Sequence, residues 1–115
     1  MPKWFGAPVL VIETVGRKSG EPRATPLVYA RDGDRLVVAP AAGGTTTTPS
    51  WWLNLRAAGE GTVVLGRERG RVRPRVAEGQ ERDRLWRLLC DAYPWNEDYV
   101  RMLGRDLTVV VLEPV

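Results

Sequence analysis

Histidine is absent from the 115 residues, and cysteine and phenylalanine occur once each. Without histidine the usual Ser-His and Cys-His nucleophile pairs are excluded, and so are metal sites of the Cys/His type. No metal is expected. Cys90 has no internal disulfide partner, which fits a reducing cytoplasm. With no histidine to activate it, Cys90 reads as a small packed residue and not as a nucleophile. No apolar run approaches the roughly 20 residues that cross a bilayer, so no stable membrane span is expected. The opening Met1-Pro-Lys-Trp-Phe-Gly6 lacks the apolar stretch of a signal peptide, and a cytoplasmic location is the expectation.

What is present suits a packed domain. The apolar fraction of 43% is ordinary for a globular chain, and residues 1–115 are long enough for one core but not two. Lysine and arginine number 17 against 14 acidic residues, a net charge of +3 carried mostly by arginine. That balance suits a multiply charged anion, a nucleic acid or a lipid surface, and charge alone does not choose among them.

Taken in order, Pro8–Thr14 reads as a buried strand and Ala24–Arg31 as a second. The Asp32-Gly33 pair predicts a tight turn into a third, Arg35–Ala39. Residues 41–50, with two glycines and four consecutive threonines, form a loop. Pro49 and Ser50 then open a helix over 50–58, on which Trp51, Trp52 and Leu55 fall at helical spacing. Thr62–Gly66 and Arg71–Ala77 predict a hairpin around 67–70. Arginines at 67, 69, 71, 73 and 75 read as solvated edge charges, since no aromatic residue is interleaved to stack a base. An amphipathic helix follows over 80–92, then a short helix over 96–103 carrying Tyr99. The apolar run 107–112 predicts a central strand. Six short, mostly antiparallel strands with three helices make an α+β, mainly β, class and suggest a small barrel with helical cover.

Residues 16–29 carry the chemistry. Between two apolar runs lie Arg17, Lys18 and Arg23 with Ser19, Thr25 and two glycines. Such a loop gathers positive charge, hydroxyls and free backbone amides, which is what a phosphate requires. A merely solvated hairpin is the alternative.

Gly16-Arg-Lys-Ser-Gly20, Pro22-Arg23 and Thr25-Pro-Leu27 together resemble the signature of the deazaflavin-dependent nitroreductase family. Arg31–Asp34, Ala42-Gly-Gly44, Pro49-Ser-Trp-Trp-Leu-Asn-Leu55, Tyr93-Pro94 and Val109–Pro114 match in the same order. The resemblance implies a split β-barrel, like the barrels that bind flavin mononucleotide (FMN), and reduced coenzyme F420 as cofactor. It also implies hydride transfer to a small organic acceptor: a nitro compound, a quinone or an activated C=C bond. By the same resemblance Arg17, Lys18, Ser19 and Arg23 hold the phosphate and acidic tail, while Thr25, Pro26 and Leu27 lie along the ring. Ala41, Ala42, Gly43 and Gly44 close over the phosphate, and Pro49 and Trp51 complete the cofactor set. Tyr93 and Tyr99 are the implied catalytic residues, as proton donors lining the acceptor pocket. The alternatives are FMN as cofactor, a carrier of either cofactor without catalysis, and an arginine-rich nucleic-acid binder. Monomers and homodimers are both compatible with this barrel.

Overall fold

Residues 3–4, 7–40, 48–104 and 107–115 are described by a computed structural model, with the side chains of 3, 4, 7, 99, 102 and 103 excepted. The order is β1 (Lys3–Trp4), β2 (Ala7–Val15), β3 (Pro22–Val28), β4 (Ala30–Asp32), β5 (Arg35–Val38), α1 (Ser50–Ala58), β6 (Gly61–Leu65), β7 (Glu68–Val76), α2 (Gly79–Ala92), α3 (Trp95–Leu103) and β8 (Val110–Pro114). Every strand pairing is antiparallel. Along the sheet the order β2-β6-β7-β8-β5-β4 returns on itself, because β4 continues through Tyr29 into β3, and β3 pairs with β2. That return closes a split barrel. The second strand read from sequence, 24–31, is thus one bent run: its first part pairs with β2 and its last with β5. Tyr29 marks the corner, its N–H donating to Pro8 O at 3.2 Å.

Strand alternation sorts the side chains into two cores. Leu10, Ile12, Tyr29, Leu36, Val38, Val63, Val72, Val110 and Leu112 fill the barrel interior with Trp51, Trp52 and Leu55 of α1. Val37, Val109 and Val111 point the other way, where Leu85 and Leu89 of α2 cover them. This is why residues 36–38 and 109–112 are continuously apolar: both faces of each run are buried. The helix α1 closes against β2 so tightly that a Cβ on Gly61 would sit 2.8 Å from Leu55 Cδ1 and 3.0 Å from Glu13 O.

The second hairpin differs from the sequence expectation. Its turn is at Gly66, with φ +62°, so only Arg67 leaves the stripe, and β7 runs unbroken through Gly70 and Pro74. Nor is β7 an edge. Its first half pairs with β6 and its second with β8. Pro74 lies beyond the β6 pairing, so its missing N–H breaks no bond on that side. The outward arginines meet carboxylates: Arg69 pairs with Glu13, Arg71 with Glu60, and Arg75 with Glu81 and Glu113 at 2.5 Å each. At the end of α2, buried Asn96 donates from Nδ2 to Leu89 O at 3.0 Å, satisfying a terminal carbonyl.

Candidate cofactor site

The loop between β2 and β3 is a closed ring of backbone bonds. Gly16 N–H donates to Glu21 O and Gly20 N–H to Gly16 O, both at 2.8 Å, while Glu21 N–H donates to Ser19 Oγ at 3.2 Å. Gly20 supplies the left-handed φ of +72° that the turn requires. Because Ser19 Oγ accepts that bond, its own proton remains available to a ligand.

Asn54 fastens this loop to α1. It is 4% exposed, and its Oδ1 accepts from Arg17 N at 3.1 Å and from the Arg17 guanidinium at 2.8 Å. Two donors converging on one atom identify that atom as the amide oxygen. The amide Nδ2 is left without a partner among the described residues.

Loop and helix together bound an open cleft of about 400 Å³, lined by Gly16, Arg17, Lys18, Ser19, Arg23, Ala24, Thr25, Ser50, Trp51 and Asn54. Its electrostatics are one-signed. Arg69, Arg71, Arg75, Arg84 and Arg101 are each ion-paired, whereas Arg17, Lys18 and Arg23 have no carboxylate partner among the described residues. The N-terminal turn of α1 opens on the same cleft and holds no acidic residue, so its positive end adds to the three cations. An anion is what such a cleft attracts, and a charge-assisted bond from a guanidinium is about twice as strong as a neutral one.

The structure brings together six of the residues expected from sequence: Arg17, Lys18, Ser19, Arg23, Thr25 and Trp51. It does not bring in Pro26, which is exposed, or Leu27, which packs on the interior core. Pro49 precedes α1 as its cap residue, half-buried and off the cleft lining. Ala41, Ala42, Gly43 and Gly44 lie outside the described residues, as does the side chain of Tyr99. Tyr93 is buried at the end of α2, its N–H on Leu89 O at 2.9 Å, and is not part of the cleft lining. Sequence reasoning missed Asn54 as a site residue. Its signal was a polar residue three after Trp51 and one before Leu55, on the stripe that α1 buries. Cys90 behaves as expected of a packed thiol: burial first, then Glu97 and Asp91, push its pKa up to about 11.

The family model of the F420H(2)-dependent quinone reductases matches residues 2–114. The chain belongs to that family. It is an F420-dependent oxidoreductase, and coenzyme F420 is its cofactor. One relative in Mycobacterium tuberculosis, provisionally named an F420H(2)-dependent quinone reductase, is 34% identical over 107 residues, covering 93% of this chain and 90% of its own length. A solved F420-H2 dependent reductase is 30% identical, with a TM-score of 0.83 over 92% of this chain and 94% of that one. A second solved structure, described as a domain-swapped dimer, is also 30% identical, with a TM-score of 0.84 over 92% and 80% of the two chains. The cleft fits this cofactor, a phosphodiester with a polyglutamate tail, because its three cations meet no carboxylate among the described residues and hydroxyl-bearing Ser19 and Thr25 line the same space. Among the described residues no helix is long and apolar enough to cross a membrane, and no acidic, cysteine or histidine cluster could hold a metal.

Proposed function

We propose that this member of the family reduces a small quinone-class acceptor, with nitro compounds and activated C=C bonds as secondary acceptors. The observation that carries the reading is the set of three cations with no carboxylate partner among the described residues, at a cleft beside Trp51, joined to the family assignment. When bound, reduced F420 supplies the hydride. Arg17, Lys18 and Arg23 hold the phosphate and the acidic tail, and Ser19 and Thr25 add hydroxyl donors. Asn54 keeps Arg17 in place, so the guanidinium meets its ligand already oriented. The Trp51 indole, 7% exposed, walls the cleft on the core side and excludes water from it. No residue need act as a nucleophile. Hydride transfer asks for positioning, and positioning is what these side chains provide.

One solved relative is a domain-swapped dimer, and the reading extends to a homodimer here, to be checked by light scattering. The function is tested by following oxidation of reduced F420 by its visible absorbance as a quinone, a nitroaromatic and an enone are added in turn. Fastest turnover is expected with the quinone. Tight binding of the cofactor with no oxidation above the protein-free rate would favour a carrier, and preferential binding of flavin mononucleotide would replace the cofactor.

A further inference from the structure

The inner face of the β2–β3 pair passes from apolar to polar in three rungs. Leu10 stands opposite Leu27, Ile12 opposite Thr25, and Thr14 opposite Arg23. Directly opposed residues of an antiparallel pair project from the same face, and so do residues two apart on one strand. Thr14 therefore shares its face with Arg23 beside it, which lines the cleft, and with Ile12 of the core behind it. The residue is 5% exposed, and its Oγ1 is fully buried with no hydrogen-bond partner among the described residues. It is the one such side-chain atom found there. Valine would fill this position at no polar cost, and a buried hydroxyl left unsatisfied costs stability. An orphan donor directly beside Arg23 of an anion-attracting cleft, and behind its lining, has an evident use.

We propose that Thr14 is a further binding residue of the cleft, its hydroxyl donating to an oxygen of the phosphodiester that Arg23 also engages. This rests on the F420 reading above and adds to it a neutral contact beneath the charged rim. The pairing of Thr14 with Arg23 selects the phosphodiester over the tail, because the tail is held by charges at the surface while Thr14 lies behind them. The buried donor has a geometric requirement that exposed cations lack. Arginine and lysine accept any anion within reach, whereas Thr14 rewards one oxygen at one depth. In the free protein the contact is unmade, and its cost is carried until the ligand arrives.

Thr14→Val separates the two roles, because it removes the hydroxyl and keeps the shape. Without ligand, the valine variant should melt higher than the parent by about 3 °C or more, since an unsatisfied group has gone. Its affinity for F420 should fall about 10-fold, while affinity for the deazaflavin nucleoside, which lacks the phosphodiester, stays within about twofold. Thr14→Ser, retaining the hydroxyl, should bind F420 nearly as the parent does. Should the valine variant fail to fold, Thr14→Ala is read by the same two titrations. Unchanged F420 affinity on loss of the hydroxyl overturns the proposal. A lower melting temperature for the valine variant also overturns it, since the hydroxyl would then have a partner within the protein. Equal weakening of both ligands would place the contact on the ring and refute the phosphodiester assignment. Failure of the underlying F420 reading would show separately, as no binding by the parent.

Discussion

Lys18 and Arg23 are the residues whose removal should say most about binding and least about folding. Both are exposed, both line the cleft, and neither has a carboxylate partner among the described residues. Truncating either leaves no cavity and no orphaned charge. Lys18→Ala and Arg23→Ala are each expected to weaken F420 about 5- to 20-fold, with a melting temperature within about 2 °C of the parent. Unfolding of either variant, or parent-like affinity, would remove that residue from the anion site. Tyr93 calls for a different measurement. Because it is buried and off the cleft lining, Tyr93→Phe should leave F420 affinity within about twofold. Turnover is the readout that bears on the resemblance: a loss of about 10-fold or more at constant affinity is the mark of a proton donor. At this scale the sequence showed the charged residues well, because an arginine in a glycine-rich loop has few structural duties. It showed Asn54 and Thr14 poorly, because a single neutral polar residue in an apolar stripe reveals its role only when its partners, or their absence, are seen. Of the Thr25-Pro-Leu27 motif only Thr25 lines the cleft, while Pro26 is exposed and Leu27 packs on the core, a split that the motif itself does not reveal.

At the scale of elements, the helices were legible within a residue or so. Proline and serine open α1, and Gly59 ends it with φ +79° and an N–H on Leu55 O at 2.9 Å. The bend at Tyr29 was not legible, because a strand that changes partners has the same alternation as one that does not. The arginine stripe was read as edge charge for a similar reason: period two reports which way side chains point and not what lies beside the strand. The carboxylates that meet those arginines lie 6 to 56 residues away along the chain. One set of these pairs ties α2 to the barrel. Glu81 takes Arg75, with Arg35 4.0 Å away, and Asp32 takes Arg84 at 3.0 Å and Arg35 at 3.3 Å. Hydrogen bonds from Arg75 hold the Glu81 carboxyl below its ordinary value, and those from Arg84 do the same for Asp32. A carboxylate lowered in the folded state contributes stability above its unfolded value, and loses it as pH falls through the folded one. With unfolded values of about 4, the loss should begin below about pH 5 and be complete below the folded values. Thermal unfolding between pH 3 and pH 6 should therefore slope more gently in Glu81→Gln than in the parent. Parallel curves would show that the pair contributes nothing, as exposed pairs often do.

For the molecule as a whole, the distribution of charge matters more than the net +3. Most of the described basic residues with a nearby carboxylate lie on β7 and α2, where their fields are largely cancelled. Three cations without a carboxylate partner among the described residues, Arg17, Lys18 and Arg23, line one cleft, into which the positive end of α1 also opens. A polyanionic ligand approaching this cleft meets no opposing charge in its lining. Because Arg17, Lys18 and Arg23 are exposed, their attraction is screened over about 10 Å at 0.1 M salt and about 30 Å at 0.01 M. F420 affinity is therefore expected to fall about 10-fold between 0.02 and 0.3 M sodium chloride, and the association rate to fall with it. The deazaflavin nucleoside, lacking the phosphodiester and the acidic tail, should bind with almost no salt dependence. Lys18→Ala should show a shallower salt slope than the parent, whereas Thr14→Val, which removes no charge, should keep the parental slope at a lower affinity. F420 affinity indifferent to salt would mean that the tail does not use these cations. A slope unaltered in Lys18→Ala would move the electrostatic contact to Arg17 and Arg23 alone.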